Sequence, residues 1–422
     1  MYRLFAPMQP IQSTSRIELI DALRGFALVG ILMVNMHYFA HPIEAQLIAP
    51  EAATLNRIAG WFIRLFFEGK FFPLFSFLFG LGISIQQRRA EQRGVSIRPL
   101  LYRRMIVLLL FGVAHAVLLW TGDILALYAV LGLVLITFFY RTASRTNIIW
   151  AIILLGVLNL FLALGVVGIQ ASLANPVTAA PMREGFAQEA VDAEARVAND
   201  YAVYAEGTWA EITSERAADF FADSVPLLFF SAPVVFAMFL LGLAFGHYRI
   251  FSERERHRPL LKRIAIVGVP LGLSLNIAYT VFAAELSLSA PLTWATFFAF
   301  FSNTVGGPIL TLGYISSLTL LYDRGKTMRA FLDAFAPAGR MALTNYLMHS
   351  VIWTSVFYGY GGGLFGRVGL ALGIILTLVT IGVQLPLSKW WLSHHRYGPV
   401  EWLWRRLTYG KLDRGEPSRP HG

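Results

Sequence analysis

The sequence predicts an all-α polytopic membrane protein, a transmembrane helical bundle of about ten spans with both termini cytoplasmic. Three observations carry this. First, 56% of the 422 residues are hydrophobic and only 14% are charged, and apolar runs long enough for spanning helices recur along almost the whole chain. Second, these runs do not alternate every second residue, as the strands of a membrane β-barrel do. Third, the basic residues gather in alternate connecting segments, which is how cytoplasmic loops are marked.

The first span, Ile17–Phe39, sets the pattern for the rest. It is too long for a cleavable signal peptide, and acidic residues precede its apolar body. It carries Glu18, Asp21, Arg24, Asn35 and His37, and such groups inside a span face protein or water rather than lipid. Asp21 and Arg24, three apart, can pair on one face. Arg24 and Asn35 are eleven apart, which puts them nearly on one face and about 16 Å apart along the axis. His37 lies well round the helix from Asn35. The bland alternative is a helix-start ion pair with Asn35 as interhelical glue.

After Pro42 and Pro50, residues Arg57–Gln86 read as one broken span, because Gly69 and Pro73 disfavour a straight helix there. Further spans are expected at Leu100–Trp120, Ile124–Tyr140 and Asn147–Gln170, completing a five-span region over 17–170. Residues 171–223 hold ten of the 25 acidic residues against three arginines and read as an exoplasmic loop with amphipathic helical stretches. A second five-span region, 224–392, contains Val225–Tyr248, Leu260–Ala284, Thr293–Tyr322, Met341–Gly359 and Val368–Leu392. Gly242 and Gly246 fit a small-residue packing pattern. A 16-residue cytoplasmic N-terminus and a basic tail, 393–422, complete the plan.

With the N-terminus inside, the cytoplasmic segments collect 27 of the 35 basic residues. The acidic loop is exempt, because long loops translocate largely regardless of charge. The net charge of +10 therefore reads as topology and gives no reason to expect nucleic acid. No cysteine is present, which excludes disulfides, thiolate metal sites and cysteine nucleophiles. No metal site is expected. Walker, Rossmann and G-x-S-x-G patterns are missing too; the G-Y-G-G-G of 359–363 follows a span rather than a strand.

Four constellations could carry chemistry. His115 lies mid-span with Asp123 eight residues on at the outer mouth, where a carboxylate can orient an imidazole and stabilise its cation. A histidine bonded to a neighbouring helix is the plain alternative. Glu68 and Lys70 flank the break in the second span, where freed backbone can line a polar cavity; Lys70 can equally snorkel to the interface. Asn345 and His349 are i,i+4 and share a face behind Arg340, which also suits ordinary interhelical hydrogen bonds. His41, before Pro42, is an open candidate.

The blocks I-D-A-L-R-G-F-A-L-V-G-I-L-M-V-N (20–35), E-G-K-F-F-P-L-F-S-F-L-F-G-L-G (68–82), G-V-A-H-A-V-L-L-W-T-G-D-I-L (112–125), G-R-M-A-L-T-N-Y-L (339–347) and G-P-V-E-W-L-W-R-R-L-T-Y (398–409) together resemble the YeiB-like family of bacterial inner-membrane proteins. That family in turn resembles transmembrane acyltransferases such as heparan-α-glucosaminide N-acetyltransferase, which pass acetyl from cytosolic acetyl-CoA to a sugar across the membrane. The shared R-G…N pattern falls on Arg24, Gly25 and Asn35. Related sugar O-acyltransferases have a histidine at the position of Asn35, so this chain departs there, and its base must come from elsewhere.

The resemblance implies an inner-membrane acyltransferase using acetyl-CoA or another acyl-CoA as co-substrate. The acceptor would be a small molecule, a sugar or lipid-linked group, on the exoplasmic side or within the membrane. On this expectation His115 is the general base, oriented by Asp123, with His41 the second histidine candidate and Asn35 donating to the oxyanion. Arg24, Arg103, Arg104, Arg340 and Lys70 would serve the nucleotide phosphates. Asp21, Glu68, Asn345 and His349 would line the cavity. The other function considered is a transporter or flippase of a small polar or lipid-linked solute, with Asp21–Arg24 and His115–Asp123 as gating or proton-coupling groups. The partners expected are membrane lipids and a second copy in a homodimer.

Overall fold

A computed structural model describes residues 18–45, 53–287 and 290–410. Residues 1–16, and the tail beyond 410, lie outside the described residues. Among the described residues the chain is all-α, with no strand.

The helices are α1 (Glu18–Ala40), α2 (Thr54–Phe66), α3 (Phe71–Gln92), α4 (Arg98–Leu118), α5 (Leu125–Val134), α6 (Ser144–Ala174), α7 (Pro176–Glu206), α8 (Trp209–His247), α9 (Arg254–Phe282), α10 (Trp294–Tyr322), α11 (Lys326–Asp333), α12 (Ala336–Arg340), α13 (Ala342–Phe357), α14 (Leu370–His394) and α15 (Pro399–Tyr409). Among the described residues, eight segments are long and apolar enough to cross a membrane: α1, the α2–α3 pair, α4, α6, the second half of α8, α9, α10 and α14. Two expected spans are helices of shorter reach. One is α5, extended by a π-helical turn to Phe139, and the other is α13, with 16 residues.

The acidic segment is more regular than a loop. α6 continues to Ala174, and Asn175 then starts α7 by accepting a hydrogen bond from Val177 N at 3.0 Å. Thr208 and Glu211 bond reciprocally to start α8, so the first part of that helix belongs to the acidic segment. This is the capping-box arrangement.

α1 is the centre of the bundle, packed against α3, α12, α13 and α14. Two helix crossings depend on glycine. Where α12 meets α1, a Cβ on Gly25 would sit 2.0 Å from the Phe335 carbonyl oxygen, and one on Gly339 would sit 1.8 Å from the Asp21 carbonyl oxygen. Where α3 meets α8, a Cβ on Gly80 would sit 2.0 Å from the Phe239 carbonyl oxygen, and one on Gly242 would sit 2.0 Å from that of Phe77. Backbone touches backbone in both places, as small-residue motifs allow. The expected Gly242–Gly246 packing role is observed here: Gly246 closes on Ser84 of α3.

The outward faces of α4, α6, α9 and α14 expose apolar side chains, among them Leu110, Ile152, Leu160, Ile266, Ile375 and Val383. In water such a belt would aggregate; against hydrocarbon it costs nothing. The predicted break between α2 and α3 is present at residues 67–70, where Gly69 adopts φ +76°. Its carbonyl lies so close to Gly307 of α10 that a Cβ there would meet it at 2.2 Å.

Candidate functional site

His115 and Asp123 come together, though by a route different from one continuous helix. α4 ends at Leu118 and the chain turns back through Thr121 and Gly122. Asp123 then reaches both ways. Its Oδ1 is 2.8 Å from His115 Nδ1, and its Oδ2 accepts from Ala126 N in the first turn of α5 at 2.7 Å. The other imidazole nitrogen, Nε2, is 2.7 Å from Ser350 Oγ on α13. A carboxylate only accepts, so Nδ1 carries the proton and Nε2 receives the serine hydroxyl. All three side chains are buried. Tyr346, one turn before Ser350, packs on the imidazole with ring centres 5.2 Å apart and donates its hydroxyl to Gly122 O at 3.2 Å. Trp120 covers another side, 6.3 Å from His115 and 4.2 Å from Phe39 of α1.

Asn345 and His349 do share a face, and it meets α14. His349 Nε2 is 2.8 Å from Gln384 Oε1, and Asn345 Nδ2 donates to Ser388 Oγ at 3.0 Å and to Ala338 O at 3.1 Å. Four buried polar residues thus form an interhelical ladder, two i,i+4 pairs facing each other. α13 carries two polar faces, one to this ladder and one to His115.

His41, just beyond α1, has both ring nitrogens engaged. Nε2 lies 2.9 Å from Val368 O, a pure acceptor, so it holds the proton; Nδ1 then accepts from Tyr201 OH of α7 at 3.0 Å. His41 therefore ties the acidic segment to α1 and the loop before α14. It stacks on His37, which lines a cavity the size of one water molecule together with Met33, Ile63 and Gly373. Asn35 is half-buried on α1.

Lys70 is completely buried and does not snorkel. Its ammonium donates to the carbonyls of Arg64 and Glu68, closing the C-terminal end of α2, and lies 5.8 Å from the centre of the Tyr279 ring. Glu68 Oε1 accepts from Tyr279 OH at 2.6 Å. Lys70 thus neutralises orphan carbonyls at a helix break, where a cation is favoured.

Of the remaining cations, Arg24 and Arg104 meet at the other end of the bundle. Arg24 pairs with Asp21 at 3.1 Å. Arg104 of α4 donates to Gln86, stacks 4.5 Å from the Trp404 ring centre, and has Arg24, Arg405 and Tyr409 within electrostatic reach. Arg103 points outward and is exposed; Arg340 is half-buried on α12. On α4 the spacing from Arg104 to His115 is eleven residues, the same as from Arg24 to Asn35 on α1. It puts both groups of each pair on one face about 16 Å apart.

Four contributors were not apparent in the sequence. Ser350 is one serine in an apolar helix, and its partner His115 is 235 positions away. Arg405 lies in the tail. Arg216 of α8 is fully buried, donating to Leu119 O at the end of α4 and to Thr213 Oγ1. Glu401 of α15 is also buried; it accepts from Leu343 N at 2.7 Å and Thr344 N at 3.0 Å, capping α13. Burial pushes its carboxyl above the usual carboxylate range, against the pull of these hydrogen bonds. Among the described residues no three His, Cys, Asp or Glu side chains gather as metal ligands.

A family model described as a protein of unknown function, DUF418, matches residues 245–411. Uncharacterized protein YxaH of Bacillus subtilis (strain 168) is 35% identical over 419 residues, 95% of this chain and 96% of that one. Uncharacterized protein YeiB of Escherichia coli (strain K12) is 28% identical over 398 residues, 92% of this chain and 95% of that one. The chain belongs to the YeiB-like family. The DUF418 match takes in α9 to α15, and so includes Ser350 and Glu401 of this YeiB-like chain, whereas His115 and Asp123 lie outside it. No solved structure matches.

Proposed function

We propose that this protein is a membrane acyltransferase that takes an acyl group from cytoplasmic acyl-CoA and delivers it to an acceptor, a sugar or lipid-linked group, at or beyond the far side of the membrane. The observation that carries the reading is His115, held at Nδ1 by Asp123 and open to a hydroxyl at Nε2. An imidazole so oriented takes a proton from an attacking group, and the carboxylate stabilises the cation that forms. The cluster of Arg24, Arg104 and Arg405 supports the other half, since clustered guanidinium groups suit phosphate oxygens. The separation of Arg104 and His115 along α4, about 16 Å, is of the order of an extended pantetheine arm. In this reading α5 and α13 complete ten spans, both termini are cytoplasmic, and the protein sits in a bacterial inner membrane.

The test uses purified protein in lipid nanodiscs with radiolabelled acetyl-CoA. His115→Ala should lower acyl release or transfer by about 10²- to 10⁴-fold while leaving CoA affinity intact. Arg104→Ala should weaken CoA binding by roughly tenfold or more, the loss of one charge-assisted contact. Wild-type protein with no affinity for acyl-CoA, and a solute flux whose pH dependence His115→Ala changes, would replace this reading with transport.

A further inference from the structure

We propose that Ser350 is the acyl-carrying nucleophile, so that transfer runs through a covalent acyl-serine within the bundle. The proposal rests on the acyl-transfer reading above and adds to it the identity of the first acceptor. The geometry behind it is a complete relay. Asp123 Oδ1 to His115 Nδ1 is 2.8 Å, and His115 Nε2 to Ser350 Oγ is 2.7 Å. Each outer group is held from its own side. Asp123 is anchored by Ala126 N, and Ser350 sits on a helix whose start is capped by Glu401. The constellation is recognised by geometry and roles rather than by chain order or by a G-x-S-x-G turn.

A purely structural polar contact does not need this arrangement. A buried histidine is satisfied by one carboxylate and any donor or solvent, whereas here the hydroxyl on its second nitrogen belongs to a serine, whose proton faces an imidazole already oriented to receive it. One turn further along α13, the Trp353 indole N–H is buried and has no acceptor among the described residues. It is a donor of the type a developing oxyanion requires.

In the first half-reaction the Ser350 O–H proton passes to His115 Nε2 as Oγ bonds to the thioester carbonyl carbon. The C–S bond breaks, and the departing thiolate takes that proton to leave as CoA thiol. In the second, the acceptor hydroxyl gives its proton to His115 and attacks the serine ester. The ester C–O bond breaks, and Ser350 Oγ recovers the proton. Splitting the transfer in this way lets donor and acceptor approach from opposite faces at different times.

The test needs no knowledge of the natural acyl chain. Full-length protein in nanodiscs is treated with a membrane-permeant fluorophosphonate, and the adduct is mapped by mass spectrometry. In parallel, acyl-CoA turnover is followed with a thiol reagent, which sees only released CoA because the chain has no cysteine. The expected result is an adduct on Ser350, formed about 10²- to 10⁴-fold more slowly in His115→Ala and missing in Ser350→Ala, with acyl-CoA turnover lost in both variants. Turnover that persists in Ser350→Ala, or in wild type without any Ser350 adduct, would overturn the nucleophile and leave the acyltransferase reading standing. An adduct on Ser350 in a protein that binds no acyl-CoA would uphold the activated serine and remove CoA as its donor. Neither adduct nor turnover in wild type would end both.

Discussion

Glu401 offers a test of the architecture that is independent of any activity. The residue is 9% exposed, and its carboxylate accepts from Leu343 N at 2.7 Å, Thr344 N at 3.0 Å and Thr344 Oγ1 at 2.5 Å. Glu401→Ala strands those donors at the buried start of α13. At about 1–3 kcal/mol per unsatisfied group, with the threonine hydroxyl free to turn elsewhere, the two stranded amides cost about 2–6 kcal/mol. Much of it should appear as loosening of α15, because Glu401 is its main polar tie to α13, beside Val400 N donating to Thr344 Oγ1 at 3.1 Å. Limited trypsin cleavage at Arg405 and Arg406 should therefore accelerate by more than about tenfold, since 1.4 kcal/mol is a factor of ten. Melting followed by tryptophan fluorescence should fall by several degrees.

Glu401→Gln keeps an acceptor oxygen and should cost less than about 1.5 kcal/mol, a single neutral hydrogen bond at most. The pH dependence has a definite sign. Burial raises the Glu401 carboxyl, so the folded state binds its proton more tightly than the unfolded chain does. The stability it contributes is fullest below the ordinary glutamate range and declines as pH rises through the raised value. The stability difference between wild type and Glu401→Gln should shift in that direction. Alanine and wild type behaving alike in both cleavage and melting would refute the capping argument.

Two further predictions concern the bundle itself. Gly25→Ala should fail to reach a stable fold or melt well below wild type, because the new Cβ meets the Phe335 carbonyl at 2.0 Å and backbone must move. Overpacking alone costs about 1–3 kcal/mol, and normal detergent stability in this variant would show the α1–α12 crossing to be wrong. An introduced Gln92→Cys, at the exposed end of α3, should resist an impermeant thiol reagent added outside intact cells and react after lysis. Rapid labelling from outside would invert the topology.

Much of the bundle was legible because it is written in local terms. Gly69 and Pro73 announced the interruption between α2 and α3, and i,i+4 spacing placed Asn345 with His349. The His115–Asp123 pairing was also expected, but for an incomplete reason. A spacing of eight suits two turns of one helix, whereas the chain leaves α4 at Leu118 and the turn through Gly122 brings the carboxylate back. What stayed hidden depends on partners far along the chain. Ser350 has meaning only beside His115, and Lys70 only beside the carbonyls it closes. Arg103 and Arg104 are identical in type, yet neighbours on a helix point about 100° apart, and only packing decides that Arg104 turns toward α15.

The glycine contact between α1 and α12 has a mechanical consequence. Rotamers normally absorb small displacements between helices, but here no side chain separates the Asp21–Gly25 backbone from that of Phe335 and Gly339. α13 begins two residues after Arg340 and carries Ser350. A tilt imposed on α1 at the Arg24 end is thus handed on without slack, like load through a rigid coupling. An event among the cations at one end of the bundle and the alignment of a hydroxyl with an imidazole at the other become parts of one linkage.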